Sequence, residues 1–177
     1  MTRCAICREE FERQRMTQKT CGHAVCNSEH KRQAAISKAL KAERREIKQR
    51  MDDLKTKPQL AKEAQTAFNA FIRARDADLP CVSCGRFHQG QWHAGHFYST
   101  GARPELRFNE DNCHKQCQPC NTELHGNLLL YRESLLLRIG PVRFAELSNP
   151  HPAQHYTKED LREIKAKYKA KLKELQK

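Results

Sequence analysis

Apolar residues are in short supply. They make up 38% of the 177-residue chain against 31% charged, so one large hydrophobic core is not expected to hold the whole length together. No run approaches the roughly 20 consecutive apolar residues of a membrane span. The opening MTRCAICREEF has no apolar signal-peptide segment. Acidic side chains are outnumbered, 21 Asp and Glu against 33 Lys and Arg, leaving a net charge of +12. That balance points to a polyanionic partner. No helix-turn-helix or other base-reading element is visible, so recognition of a nucleic acid would rest on shape and phosphates. No internal repeat stands out either.

Cysteine is abundant, with nine residues. A chain without a secretory segment is expected in the cytoplasm, where cysteines serve as metal ligands rather than as disulfides. Cys81-x2-Cys84 and Cys117-x2-Cys120 form two knuckles separated by 32 residues. Thiolates from two tight turns supply the four tetrahedral donors of a structural zinc. Such a zinc has no open position and is not a catalyst. Cys4-x2-Cys7 and Cys21-x4-Cys26 suggest a second zinc site with a looser second half, in which His23 and His30 compete as the fourth ligand. Cys113 is left over, as a small strand residue.

Four segments follow. Residues 1–27 are a small zinc finger. Residues 28–78 are a long basic helical region, with Ser28 as a candidate N-cap, a heptad-like stripe of Ile36, Leu40, Ile47, Met51 and Leu54, and an interruption at Pro58. Residues 79–147 hold the second cysteine set among short strands and loops, then a helix starting at Pro119. A further helix, LLLYRESLLLRIG, is capped by Asn127, is apolar enough to be buried and closes at Gly140. Residues 148–177 are a Pro/His-rich link and a basic helix striped by Leu161, Ile164, Tyr168, Leu172 and Leu175. Residues 28–57 carry ten Lys/Arg against five Asp/Glu, and such helices bind phosphate backbones in a salt-dependent way. The two stripes are candidates for pairing with each other or with a second copy in a homodimer.

Between the knuckles lie HAGHF, with His93 and His96, and Asn112. Just beyond them come Asn121 and His125, four apart and so on one face of a helix. A strand with His96, a loop with Asn112 and this helix are expected to converge beside the zinc. The order C-x2-C, His, Asn, C-x2-C-Asn resembles a zinc-bound HNH (His-Me finger) endonuclease. The fuller set FNAFIRARDADLPCVSCGR, AGHF, LRFNEDNCHKQCQPCN and HGNLLLY, with CAICREEF at the N-terminus, resembles the phage NinG/Rap recombination endonucleases.

The resemblance implies an α+β fold. Its centre is a small ββα-metal (HNH) core with structural zinc at 79–147, preceded by the N-terminal finger and basic helices and followed by a C-terminal helix. It implies His96 as the general base, Asn112 as the residue that fixes the base-orienting loop, and Asn121 as a catalytic ligand of Mg²⁺ or Mn²⁺. Position 95 is often a metal-binding Asp or His in the family, and here it is Gly95. His125, His93 or water then completes the metal shell. The remaining histidines, His88, His114, His151 and His155, are expected as solvated or phosphate neighbours. The implied activity is structure-selective cleavage of branched DNA, such as Holliday junctions or D-loops, in phage recombination. The setting would be the host cytoplasm, with host or phage recombination proteins as partners. The rival expectation is a non-catalytic, zinc-stabilised DNA-binding mediator.

Overall fold

The computed structural model describes residues 1–177 as two units, Met1–Lys55 and Thr56–Lys177. The division falls inside the segment read from the sequence as one basic helical region.

In the first unit, β1 (Thr2–Arg3) pairs antiparallel with β2 (Glu10–Phe11), and the long helix α1 covers Ala24–Asp53. The helix starts before Ser28. That residue lies within the first turns, its hydroxyl donating to the Val25 carbonyl at 3.0 Å. Cys26 is the one residue α1 buries, and the heptad-like stripe from Ile36 to Leu54 is exposed. What supports the exposed length is local. Arg32 and Gln33 bond Glu29, and Arg50 bonds Glu46, pairs worth a few tenths of a kcal/mol each.

The second unit opens with α2 (Lys57–Arg75). Thr56 and Gln59 form a capping box, and Pro58 stands in the first turn, where its missing N–H costs nothing. Helix α4 (Lys158–Leu175) is capped in the same manner by Thr157 and Asp160. Their apolar faces meet. Phe68 packs edge-on to Tyr168 with ring centroids 4.8 Å apart, and Leu60, Ala64 and Leu161 form a neighbouring cluster. Leu161, Ile164 and Tyr168 of the C-terminal stripe are therefore covered by α2, while Leu175 is exposed.

Between these helices in sequence lies the antiparallel pair β3 (Trp92–His96) and β4 (Cys113–Cys117), in which Trp92 faces Cys117 and His96 faces Cys113. The C-terminal end of α2 is tied to β4 through Asp76. Its carboxylate accepts from Arg75 at 2.7 Å and from the Lys115 amide at 2.9 Å, and His114 Nδ1 lies 3.5 Å away. Burial alone would raise this carboxyl, but the close approach of His114 and the hydrogen bonds from Arg75 and the Lys115 amide outweigh it and hold it below the usual carboxylate range. His114 is thus a buried structural residue, not the solvated histidine expected.

After β4 comes a π-helical turn, Pro119–Glu123, and then α3, Leu128–Ser148. Helical geometry breaks at Gly140 (φ 79°, ψ 166°), as the sequence suggests, but the helix resumes at Pro141. Burial of α3 is narrower than its composition implies. Tyr131, Leu135 and Leu147 are buried, whereas Leu129 and Leu137 are 82% and 87% exposed. No helix is long and apolar enough to cross a membrane.

Phe68 is fully buried among Tyr168, Phe108 and His96. In urea unfolding of the metal-loaded chain, Phe68→Ala is expected to cost the second unit about 3–5 kcal/mol, whereas Leu40→Ala on the exposed face of α1 should stay within about 0.5 kcal/mol.

Candidate active site and metal centres

The two halves of the chain build their metal sites on the same turn. Cys4 N–H donates to Glu9 O and Arg8 N–H to Cys4 O. Likewise Cys81 N–H donates to Arg86 O and Gly85 N–H to Cys81 O. Both turns need a left-handed residue just after the second cysteine. Gly85 (φ 68°) adopts it without penalty, and Arg8 (φ 68°) adopts it with a side chain. The shared C-x2-C spacing of Cys4–Cys7 and Cys81–Cys84 is the sequence trace of this likeness.

The second halves differ. Cys21 sits in a loop and Cys26 in the first turns of α1, whereas Cys117 ends β4 and Cys120 lies in the π-helical turn. The sulfurs of Cys4, Cys7, Cys21 and Cys26 lie within 4.8 Å of one another, as do those of Cys81, Cys84, Cys117 and Cys120. A tetrahedral zinc with Zn–S bonds of about 2.3 Å requires sulfurs about 3.8 Å apart. Cys7 and Cys21 are 3.8 Å apart, and Cys84 and Cys117 are 4.0 Å apart. Both sets therefore fit zinc, and the first closes with four cysteines, without His23 or His30.

Electrostatics in the first cluster call for a cation. Burial would raise the Cys4 thiol, but amide hydrogen bonds from Cys7, Ile6 and Cys21 bring it down to about 6. Cys26 is pushed up to about 12 by burial and by its neighbouring sulfurs, the repulsion a divalent ion removes. In the second cluster, His88 Nε2 lies 3.2 Å from Cys84 Sγ, beside the metal ligands.

At the far end of the strand pair, His96 and Asn112 come together. Asn112 is 0% exposed and fully used. Its Oδ1 accepts from Tyr98 N at 2.8 Å, and its Nδ2 donates to Tyr98 O at 2.9 Å and Leu106 O at 3.2 Å. It thereby holds the two ends of the loop between β3 and the 3₁₀ turn Pro104–Leu106. The next carbonyl of that loop, Arg107 O, lies 2.9 Å from His96 Nε2. A carbonyl only accepts, so Nε2 carries the proton and Nδ1 keeps its lone pair. Burial, the largest effect, holds the His96 imidazole below its ordinary value, so the ring is neutral at physiological pH. Cys113 Sγ lies 3.7 Å from Nδ1, and burial pushes that thiol up, keeping it protonated.

Successive strand residues point to opposite sides. His96 and Ala94 face the α2 aromatic cluster, while His93 and Gly95 face the π-helical turn. Asn121 meets them there, its Nδ2 2.8 Å from His93 Nδ1. Asn121 and His96 do not touch, although they flank consecutive residues of β3. His125 is not on a helix with Asn121: the helical turn ends at Glu123, and His125, Gly126 and Asn127 all have positive φ, so the shared face expected from their spacing is not formed. A polar cleft of about 430 Å³ opens beside the His93–Asn121 pair, lined also by Asn69, Arg73, Gln91 and Trp92. Arg73 has no hydrogen-bonded or ion-paired partner there. Arg73 and Asn69 are one helical turn apart on α2, and nothing in their local sequence marks them.

Comparison with known proteins adds a lineage to this geometry. The family model described as Bacteriophage Lambda NinG protein matches residues 1–177. The chain belongs to the NinG family. It is 43% identical over 186 residues to Protein ninG of Escherichia phage 933W, covering 98% of this chain and 92% of the relative. With Protein ninG of Escherichia phage lambda it shares 50% identity over 122 residues, 69% of this chain and 60% of the relative. Protein ninG of Salmonella phage P22 is 49% identical over the same length. No solved structure matches the chain.

Two zinc ions per chain are the expected result of metal analysis on protein purified without chelator. Replacing Cys81, Cys84, Cys117 or Cys120 by Ser should abolish the folded second unit, read as loss of near-ultraviolet dichroism, because each Ser leaves an incomplete shell around buried thiolates.

Proposed function

We propose that this member of the NinG family is a divalent-metal-dependent, structure-selective DNA endonuclease that hydrolyses phosphodiester bonds in branched recombination intermediates. The observation that carries the reading is the tethering of His96. Its Nε2–H is engaged by the Arg107 carbonyl, and the loop bearing that carbonyl is held by the buried Asn112. A neutral imidazole with a fixed tautomer and an Nδ1 lone pair, here faced by the Cys113 thiol at 3.7 Å, is the form a general base must take. The sequence of strand, loop, strand and helical turn around a four-cysteine cluster supports an HNH-type ββα-metal core.

In this mechanism His96 Nδ1 takes a proton from the attacking water. The Arg107 carbonyl steadies the imidazolium that forms, through the Nε2–H bond. Arg73, in the adjoining cleft, is available to pair with a backbone phosphate. A divalent ion held at Asn121 would neutralise a non-bridging oxygen and stabilise the leaving 3′ oxygen; the carboxamide oxygen of Asn121 fits a hard cation. The net charge of +12 supplies sequence-independent affinity for DNA. A second copy of the chain, giving two active sites, would suit paired cuts at a junction. The preference for branched DNA and any recombination partner come from the family resemblance.

A second reading, a non-catalytic DNA-binding mediator, is favoured by Gly95, which offers no side-chain ligand. The assay that separates the two is Mg²⁺- or Mn²⁺-dependent nicking of synthetic linear, flap and four-way substrates. His96→Ala should keep its zinc and its DNA binding and lose about 10²–10⁴-fold in rate. Since burial depresses the His96 pKa below 6.5, the wild-type rate should be at its plateau at pH 7 and fall on acidification below 6.5 as the base protonates. Wild-type cleavage by His96→Ala would sink the mechanism, and no cleavage of any substrate by wild type would favour the mediator.

DNA affinity should fall steeply with added salt and vary little with sequence. Neutralising Lys41, Arg44, Arg45 and Lys48 together should flatten the slope of log affinity against log salt by up to about four. An unchanged slope would place the phosphates elsewhere on the protein.

A further inference from the structure

Gln116 is a buried residue of β4, 0% exposed, that the strand register sets opposite His93. Its Nε2 donates to Ser83 Oγ and to the Gly126 carbonyl, both at 2.6 Å. Because that carbonyl can only accept, the amide cannot be turned over, and Gln116 Oε1 must point the other way, towards Gly95. There it is buried with no hydrogen-bond partner. A buried amide oxygen left unpaired is costly, and such a group calls for an explanation.

A second amide oxygen faces the same spot. Asn121 Nδ2 is engaged by His93 Nδ1, which directs Asn121 Oδ1 towards Gly95, and no hydrogen bond reaches that oxygen. A Cβ built on Gly95 would overlap Gln116 Oε1 and lie 3.1 Å from Asn121 Oδ1. Gly95 is not among the glycines with positive φ, so glycine is required here for space, not for backbone conformation. Two partially negative oxygens thus converge on one point with no donor between them, beside a cleft that opens at His93 and Asn121. Neutral amide oxygens are suitable donors for hard divalent ions such as Mg²⁺, Mn²⁺ and Ca²⁺.

We propose that Gln116 Oε1 and Asn121 Oδ1 are paired protein ligands of a divalent cation, with β4 supplying the oxygen that position 95 of β3 lacks. Gln116 is a ligand, His93 orients Asn121, and Ser83 and Gly126 orient Gln116. The role of the ion rests on the endonuclease reading, but its binding does not.

The test is a titration of the zinc-loaded full chain with Mn²⁺, following free Mn²⁺ by electron paramagnetic resonance and checking zinc content afterwards. Wild type is expected to bind Mn²⁺, and Gln116→Met and Asn121→Ala to bind it about tenfold or more weakly. The discriminating pair is Gly95→Asp alone and Gly95→Asp with Gln116→Ala. The single variant has no room for its carboxylate while Gln116 is present. The double variant moves the oxygen donor from β4 to β3 and should restore binding. The proposal is overturned if zinc-loaded, folded Gln116→Met binds Mn²⁺ like wild type, or if wild type binds none. Should Gln116→Met not fold, the double variant decides, because weak binding by that protein with its zinc retained overturns it equally. Cleavage separates the two readings. Normal cleavage with unaltered Mn²⁺ binding in Gln116→Met defeats the ligand assignment alone. Altered binding in a chain that cuts no DNA defeats the endonuclease alone.

Discussion

The register of ten paired residues, Trp92–His96 against Cys113–Cys117, is the constraint on which the second unit turns. A two-stranded ribbon is marginal by itself, and a slip of one residue would exchange its faces. Here slippage is blocked at several places. Cys117 is both the last residue of β4 and a corner of the sulfur cluster, so the pairing cannot move without pulling a ligand from its tetrahedron. At the other end Asn112 holds the loop between the strands to the backbone at Tyr98 and Leu106. From the side, Asp76 grips the Lys115 amide. With the register held, His96 must face the aromatic cluster on α2, and His93 and Gly95 must face Asn121. A four-cysteine cluster that fits a structural zinc thus decides which side chains meet on each face of the strand pair.

The same pattern of fixed orientation recurs in the polar side chains. Arg107, Gly126 and Leu106 each present a carbonyl, and each determines which end of a ring or amide must be the donor. His96 and Gln116 inherit a defined tautomer and a defined amide orientation from acceptors that cannot change role. Preorganisation of this kind is set during folding, before any ligand arrives.

Much of this was legible in the sequence, and the boundary is physical. The cysteine knuckles were readable because four thiolates in two tight turns have few other uses, and the placement of His96 on a strand and Asn112 in a loop was readable from their order between the knuckles. The break at Pro58 and a last basic helix after residue 157 were also readable, whereas the capping boxes at Thr56 and Thr157 were not singled out. Where reading failed, a tertiary contact had overridden a local rule. The spacing of Asn121 and His125 implied a common helical face, but the backbone turns left-handed at His125. The leucine-rich α3 looked buried, yet the space it packs against admits only the side bearing Tyr131, Leu135 and Leu147. Gln116 was passed over because a glutamine in a strand carries no signal of its own. Its meaning comes from the empty position at Gly95 on the neighbouring strand, and Arg73 likewise acquires a role only from the cleft that it faces.

Helix α1 runs for 30 residues, about 45 Å at the usual rise, and buries one of them. Its amides are protected by the helix's own hydrogen bonds and little else, while those of α2 and α4 lie under a packed aromatic cluster. The chain should therefore not melt as one cooperative body. Amide hydrogens beyond the first turns of α1 would exchange through local fraying, at opening free energies far below those of the second unit. A heat-capacity trace would show a broad, low-enthalpy component preceding the main transition, and a single melting temperature would describe neither unit.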